Sequence, residues 1–271
     1  MPLLHAYLSD VRTLLTGGSA GVLQLMYPPL GAAVAAQSDF FGDPFGRVYR
    51  SVPQIWATVL APDGPERARR IRDLHRGIQG SDGAGRPYHA LDPETFWWAH
   101  ATFTWEVFEA IRLFFRGGLG ALDRDRLYAE TIRWYELYGV SSRPVPATYR
   151  EFTAKFDGIC SHTLEMTPAA RRTLDMALAG EWRPPLVRRN FRDPLTRGAG
   201  RLVVIGSLPA GLRARFAIRW TRWDERRFRL LCASFRHGFR IVPPPVHRRA
   251  LGFGLRSVGV LTRRERFVPP R

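Results

Sequence analysis

Residues 93–116, PETFWWAHATFTWEVFEAIRLFFR, decide the fold of this chain. Asp92 precedes the stretch as a helix N-cap, Pro93 suits the first helical position, and Glu94 places an acid in the first turn. A glycine pair at 117–118 then ends the apolar pattern, as glycines commonly end helices. The stretch therefore predicts one long helix.

Most of the remaining chain carries the same helical signal. Apolar residues recur at helical spacing, and alternating runs typical of strands are scarce before residue 200. The 271 residues, 45% of them hydrophobic, are enough for one large domain or two small ones. We expect an all-α fold, a single helical domain with a basic C-terminal helical region. The predicted helices cover residues 7–16, 18–27, 29–37, 43–60, 64–79, 93–116, 123–139, 147–161, 167–179, 208–216, 222–238 and 244–252.

Charge divides the chain into two parts. Residues 183–271 hold 22 arginines against four acids, a net charge of +18, whereas residues 1–182, with 19 bases and 20 acids, carry −1. We expect 1–182 to form the body and 183–271 to pack on the same domain as an Arg-rich segment. The connecting stretch, 183–209, contains RLVVIG at 201–206, which suits either a short strand or the start of a buried helix.

The basic segment bears on partners. A region of this charge is attracted to phosphate groups, either of nucleic acid or of an anionic lipid surface. The alternative is a solvated face whose arginines reflect a GC-rich genome, because every one of the 41 basic residues except Lys155 is an arginine.

Neither disulfide bonds nor a membrane span is indicated. Cys160 and Cys232 belong to no paired motif, which argues against a disulfide framework or a structural zinc site. The start, MPLLHAYLSDVRTLL, lacks the basic region and cleavage site of a signal peptide. The aromatic helix contains Glu106, Glu109 and Arg112, which disfavour a membrane span. We expect a cytoplasmic protein with, at most, peripheral contact with a membrane.

Two of the seven histidines, His75 and His100, lie in surroundings that suggest a role. His75 follows Arg72 by three residues, so the two side chains share one helical face. Converging on a buried cavity, they could hold a propionate, orient dioxygen or donate a proton to a bound peroxide. The alternative for His75 is an ordinary hydrogen-bonded histidine.

His100 lies within an aromatic stripe and needs a partner. A porphyrin requires one axial nitrogen and a wide apolar wall. The alternative is a satisfied core histidine among residues that only fill the core. Because no C-x-x-C-H motif is present, a haem would be held without covalent attachment. The candidate wall residues are Phe96, Trp97, Phe103, Val107 and Phe108, with Thr104 beside them.

Other enzyme classes leave no motif in the sequence. The glycines near residue 80 do not form G-x-G-x-x-G after a strand, and neither a Walker A sequence nor a G-x-S-x-G elbow occurs. H-E-x-x-H and paired E-x-x-H motifs are also missing, which argues against a zinc protease or a di-iron bundle.

Several blocks in order resemble a known family. They are residues 17–60, GGSAGVLQLMYPPLGAAVAAQSDFFGDPFGRVYRSVPQIWATVL, the Arg72-x-x-His75 helix, GRPYHALDPETFWWAHAT, and YELYGVSSRPVPATYREF. Together they resemble the rubber oxygenase (latex-clearing protein) and MpaB-type oxygenase domain. The resemblance extends from about residue 10 to the C-terminus and is clearest up to residue 160.

The resemblance implies an all-helical domain with a globin-like core around a b-type haem, so that residues 1–182 become a haem-binding body. It implies oxidative cleavage of carbon–carbon double bonds in isoprenoid or other apolar chains by dioxygen. His100 matches the axial iron ligand, and Arg72 and His75 match the helix on the distal side. Because rubber-cleaving members carry lysine and threonine where this chain has His75 and Arg76, a small lipid-like substrate fits better than a polymer.

Three functions remain open on this basis. The first is a haem-dependent oxygenase that acts with dioxygen on an apolar unsaturated substrate, near an anionic membrane that the basic segment contacts. The second is a haem or lipid carrier that binds without turnover. The third, nucleic-acid binding by the arginine-rich end, lacks a recognisable reading module.

Overall fold

The computed structural model describes residues 1–37, 44–181, 194–239 and 241–257. Its elements, in chain order, are α1 Pro2–Leu8, the 3₁₀ helix η1 Val11–Thr16, α2 Gly17–Leu25, α3 Pro28–Gln37, α4 Pro44–Leu60, α5 Gly64–Leu74, β1 Gln79–Ser81, β2 Pro87–His89, α6 Pro93–Phe114, α7 Ala121–Glu136, α8 Tyr149–His162, α9 Pro168–Leu178, α10 Pro194–Ser207, α11 Ala210–Arg215, α12 Arg222–Gly238 and α13 Pro244–Ser257. The predicted all-α fold is confirmed, whereas a globin-like core stays a prediction.

Helix α6 is the centre of the structure. Of its 22 residues 16 are buried, and it contacts η1, α2, α7 and α12. Asp92 caps it as predicted, because its carboxylate accepts hydrogen bonds of 3.1 Å from the backbone N–H groups of Glu94 and Thr95. Burial of large apolar side chains such as Trp98, which is fully buried, stabilises such a helix by about 3 kcal/mol per residue.

Polar side chains fix how the neighbouring helices meet. The indole Nε1 of Trp98 donates to the Leu23 carbonyl of α2 at 3.1 Å, and Ser19 of α2 donates to the Val204 carbonyl of α10 at 2.9 Å. Because buried donors without partners are destabilising, these bonds favour one arrangement of the apolar faces. They also tie α10, from the basic segment, to the body.

A small hairpin follows α5, where the sequence predicted a helix as far as residue 79. Helix α5 ends at Leu74, and β1 pairs antiparallel with β2, Gly80 opposite Tyr88. The turn is held by Asp82, whose carboxylate accepts from the N–H groups of Ala84 and Arg86 at 2.9 Å. The predicted end of this helix was therefore wrong by five residues.

The structure also divides one predicted helix and decides one open alternative. The predicted helix over 7–16 is divided at Asp10, which caps η1 by accepting from the Arg12 N–H. RLVVIG lies inside α10, with Val203, Val204 and Ile205 buried, so the buried helix is the correct alternative.

The boundary at 182 lies outside the described residues, and the division into two parts stays a prediction. Among the helices of the described ranges, none has both the length and the apolar character needed to cross a bilayer.

Candidate functional site

His100 lies at the contact between α6 and α7, with 7% of its surface exposed. Its Nε2 donates a hydrogen bond of 3.0 Å to the backbone carbonyl of Thr131. The ring meets those of Trp134 and Tyr135 edge-on, with centroids 4.7 and 5.2 Å away. The histidine therefore has a protein partner across the helix pair, and losing that partner would leave a buried donor unsatisfied.

Burial lowers the pKa of His100 to about 4, and the bond to the Thr131 carbonyl offsets only part of this effect. The imidazole is neutral at physiological pH. Because Nε2 carries the proton of the bond to Thr131, the lone pair lies on Nδ1.

The residues singled out from the sequence meet around Tyr138, which follows α7. The His75 ring lies edge-on to Phe96 at 6.1 Å, and Phe96 lies edge-on to Tyr138 at 5.3 Å. His100 approaches the same tyrosine ring at 6.2 Å, and Arg72 donates from Nη1 to its carbonyl at 3.3 Å. Arg72 and His100, 28 positions apart in sequence, thus both contact Tyr138, and His75 is linked to it through Phe96.

Arg72 and His75 both have hydrogen-bond partners within the protein, and their predicted role beside a cofactor stays a prediction. His75 is the C-cap of α5, half-buried, and its Nδ1 donates to the Ile71 carbonyl at 2.7 Å. Arg72 donates from Nε to Asp73 at 2.8 Å, at the surface. The ordinary hydrogen-bonded alternative for His75 therefore describes this arrangement.

The predicted apolar wall is divided between two faces of α6. Phe103 approaches Trp134 at 6.3 Å and so lies on the side of His100. Trp97 lies instead under Lys155 of α8, whose Nζ is 4.0 Å from the ring and 2.9 Å from Glu94. The other wall candidates are buried within α6: Thr104, Val107 and Phe108, the last against Tyr149 at 4.5 Å.

A haem agrees with this site in its chemistry but not in the present arrangement of side chains. A neutral imidazole beside aromatic rings is a suitable axial donor, and such a site needs no cluster of ligands; none of three or more His, Cys, Asp or Glu occurs in the described part of the chain. Yet Nε2 is bonded to Thr131, and the rings of Trp134 and Tyr135 of α7 and of Tyr138 after it contact the imidazole. The imidazole is thus held by contacts with the protein, which a bound haem would have to replace.

Sequence reasoning missed the contribution of α7. A spacing of three and four residues, which marks one helical face, continues from α7 into the turn after it. The residues at this spacing are Thr131, Trp134 and Tyr135 of α7 and Tyr138 of the turn. Trp134 donates from Nε1 to the Thr58 hydroxyl at 2.7 Å, and burial raises the pKa of Tyr138 to about 12. The aromatic stripe in ETIRWYELYG was therefore a usable signal.

Glu106 is a second buried polar group that the sequence did not reveal. Its side chain is 1% exposed, and neither carboxyl oxygen has a hydrogen-bond partner among the described residues. Burial raises its pKa well above the usual range, so the carboxyl is protonated and neutral in the fold. One of its oxygens lies 3.2 Å from where a Cβ on Gly17 would be, which shows how closely it is enclosed.

Comparison with known proteins identifies a family over most of the chain. No curated protein and no solved structure matches it. The family model described as ER-bound oxygenase mpaB/B'/Rubber oxygenase, catalytic domain, matches residues 5–237 of the 271. The chain therefore belongs to the mpaB/rubber oxygenase catalytic-domain family, a family of oxygenases.

Proposed function

We propose that the protein is a haem b-dependent oxygenase that uses dioxygen on an apolar, unsaturated isoprenoid- or lipid-like substrate. The observation that carries the proposal is that Arg72, Phe96 and His100 contact Tyr138 while His75 contacts Phe96, in a chain that belongs to an oxygenase family. Arg72 and His75 lie at the end of α5, and Phe96 and His100 lie in α6, so their proximity is a property of the fold.

In this proposal His100 would hold the haem, which when bound would supply the oxygen chemistry. The residues of the chain have positioning roles. Phe96 and Phe103 would supply apolar surface near His100, and Arg72 and His75 would supply hydrogen-bond donors near Phe96 and Tyr138. If a haem is held here, His100 would have to give up its bond to the Thr131 carbonyl, and the aromatic rings around it would have to move.

A haem titration tests the assignment independently of turnover. Haem is added to the purified full chain, and the Soret absorption band is recorded for wild type, His100→Gln and His162→Gln. The glutamine at 100 keeps a donor for Thr131 but removes the imidazole, whereas His162 is an exposed histidine that, among the described residues, is bonded to Gly158 of its own helix. We expect a saturable band in wild type and His162→Gln, and none in His100→Gln.

The opposite results have separate meanings. A wild-type chain that develops no Soret band would end the haem assignment, and a band that persists in His100→Gln would end the role of this histidine. Circular dichroism of each variant confirms that the helices are intact. If the band is present, an oxygen electrode then measures whether an unsaturated lipid is consumed.

A lipid carrier without turnover is the second candidate, favoured by a specific feature. A cleft of about 400 Å³ runs along α6 and α8, and aromatic rings line much of it: Trp105, Phe108, Tyr149, Phe152 and Phe156. Such a surface suits an apolar ligand. Reversible binding of a fluorescent fatty acid without oxygen uptake would support the carrier function over the oxygenase.

A further inference from the structure

The outward face of α12 combines large apolar and cationic side chains. Trp223 is 67% exposed and Leu230 is 68% exposed, and they are seven positions apart, about two helical turns, which places both on one face. Arg226 and Arg227 lie between them on the same face, also exposed. An exposed helix face that carries large apolar side chains and is rimmed by charged ones is typical of an interaction surface.

The two acids of α12 are engaged elsewhere. Asp224 is bonded to Arg201 of α10 at 2.7 Å and completes the capping box with Thr221. Glu225 accepts from Trp220 at 2.9 Å and from Arg229 at 2.8 Å. Both carboxylates thus serve the internal structure, and they do not neutralise the outward arginines.

Four arginines around the start of α12 remain uncompensated. Arg219, Arg222, Arg226 and Arg227 form no ion pair with any residue in the described ranges, and Arg226 only lies over the Trp223 ring at 5.3 Å. A cleft of about 830 Å³ opens here, with Arg201, Arg219 and Arg227 among its lining residues. The surface therefore offers several guanidinium groups to anions that come from outside.

Exposed apolar side chains are concentrated in the same part of the chain. Ile241 and Phe253, which follow α12, are 83% and 70% exposed, whereas the neutral body exposes only Leu74 and Leu122 to this extent within the described ranges. Nucleic acid would satisfy the arginines but would leave the aliphatic groups in water. A lipid surface satisfies both, because arginines reach its phosphates while tryptophan and leucine enter the interfacial region.

We propose that the outward face of α12, formed by Trp223, Arg226, Arg227 and Leu230, docks on an anionic lipid bilayer. Arg219 and Arg222 add charge at its edge. The docking goes beyond the proposed oxygenase function and is independent of His100 and of haem. The docking would give the excess arginines of the Arg-rich segment a role at one defined face.

Vesicle sedimentation of the full haem-free chain tests this surface. Vesicles of phosphatidylcholine with phosphatidylglycerol are compared with phosphatidylcholine alone, at low salt and at tenfold higher salt. We expect binding to the anionic vesicles only, weakened by salt. The double variant Arg226→Gln/Arg227→Gln should weaken it by roughly 10- to 30-fold, and Leu230→Ser should weaken it several-fold at either salt concentration.

Matched controls lie on the neutral body. Arg69→Gln/Arg116→Gln removes two exposed arginines that make no ion pair with a described residue, and Leu122→Ser removes an aliphatic side chain that is 74% exposed. Both controls should bind as wild type does. Equal losses in controls and α12 variants would overturn the proposal, as would binding to phosphatidylcholine alone.

A nucleic-acid duplex is the competing partner in the same assay. If a duplex removes the protein from vesicles, and Leu230→Ser binds that duplex as wild type does while the arginine variant does not, the face belongs to nucleic acid. Absence of vesicle binding at low salt would also overturn the proposal. Thermal unfolding of each variant excludes misfolding, because the substituted side chains are at the surface.

Discussion

Replacing Glu106 by glutamine should make the protein more stable, and increasingly so as pH rises. The buried carboxyl has no hydrogen-bond partner among the described residues, so it stays protonated in the fold. In the unfolded chain the same group ionises above its ordinary pKa of 4.5. Folding at neutral pH must therefore take up a proton, and this lowers the free energy of unfolding.

The sign and size of the pH dependence follow from the difference between the pKa of Glu106 in the folded and in the unfolded chain. Because the folded-state pKa is raised, the stability that protonated Glu106 contributes to the folded chain is fully present below pH 4.5. This stability is lost as pH rises towards the folded-state pKa. The slope approaches about 1.4 kcal/mol per pH unit over that window. Glutamine has nearly the same shape and also buries a polar group, but it does not ionise. The stability of the variant relative to wild type should therefore grow by that slope.

Urea unfolding followed by circular dichroism, at steps from about pH 4.5 to about pH 7.5, measures the difference directly. Glu109→Gln is the matched control, three residues further along α6, because its carboxylate is ion-paired with Arg112 at 2.6 Å. That substitution relieves no unpaired buried carboxyl. If the Glu106→Gln difference stays constant across the pH range, the carboxyl is not held neutral by burial and the reasoning fails.

Two further substitutions test the neighbouring contacts. The stability of His100→Gln relative to wild type should grow as pH falls, the opposite of Glu106→Gln. In wild type the depressed pKa of about 4 supplies stability above pH 6.5 that is lost as pH falls towards 4. Acid unfolding curves of the variant should lack this loss of about 3 kcal/mol. Gly139→Ala should destabilise by about 1 kcal/mol or more, because φ is +65° and the new Cβ would lie 3.1 Å from Nη1 of Arg72. Gly158→Ala in the interior of α8, where a new Cβ meets no other atom within 4 Å, should instead stabilise the protein slightly. Thermal unfolding measures both variants. A loss of stability in Gly158→Ala, or no loss in Gly139→Ala, would contradict the backbone argument.

Local signals in the sequence were sufficient for the main helices. Asp92, Pro93 and Glu94 fixed the start of α6, since capping depends on residues adjacent in the chain. The hairpin was missed because strands of three residues are too short to show an alternating pattern. RLVVIG was ambiguous for a related reason, because a short apolar run has the same composition in a buried strand and a buried helix.

The candidate site was only partly predictable, because its partners are distant in sequence. Nothing near His100 indicates that its hydrogen bond reaches the carbonyl of Thr131, 31 residues later, and a backbone acceptor has no sequence signature. Glu106 was taken as a charged residue that disfavours a membrane span. The fold buries it in neutral form, since its environment is set by η1 and α2 rather than by its own helix.

The contact of Lys155 with Trp97 makes this protein suited to footprinting by acylation. Lys155 carries the sole side-chain amine of the whole sequence, and its nitrogen is held by Glu94 at 2.9 Å, by the Pro144 carbonyl at 2.7 Å and by the indole face. These contacts slow the reaction of the amine, although the side chain remains 30% exposed. The rate at which a mass increment appears at Lys155, located by peptide mapping apart from the α-amine, therefore reports how often the amine leaves these contacts, without any engineered probe.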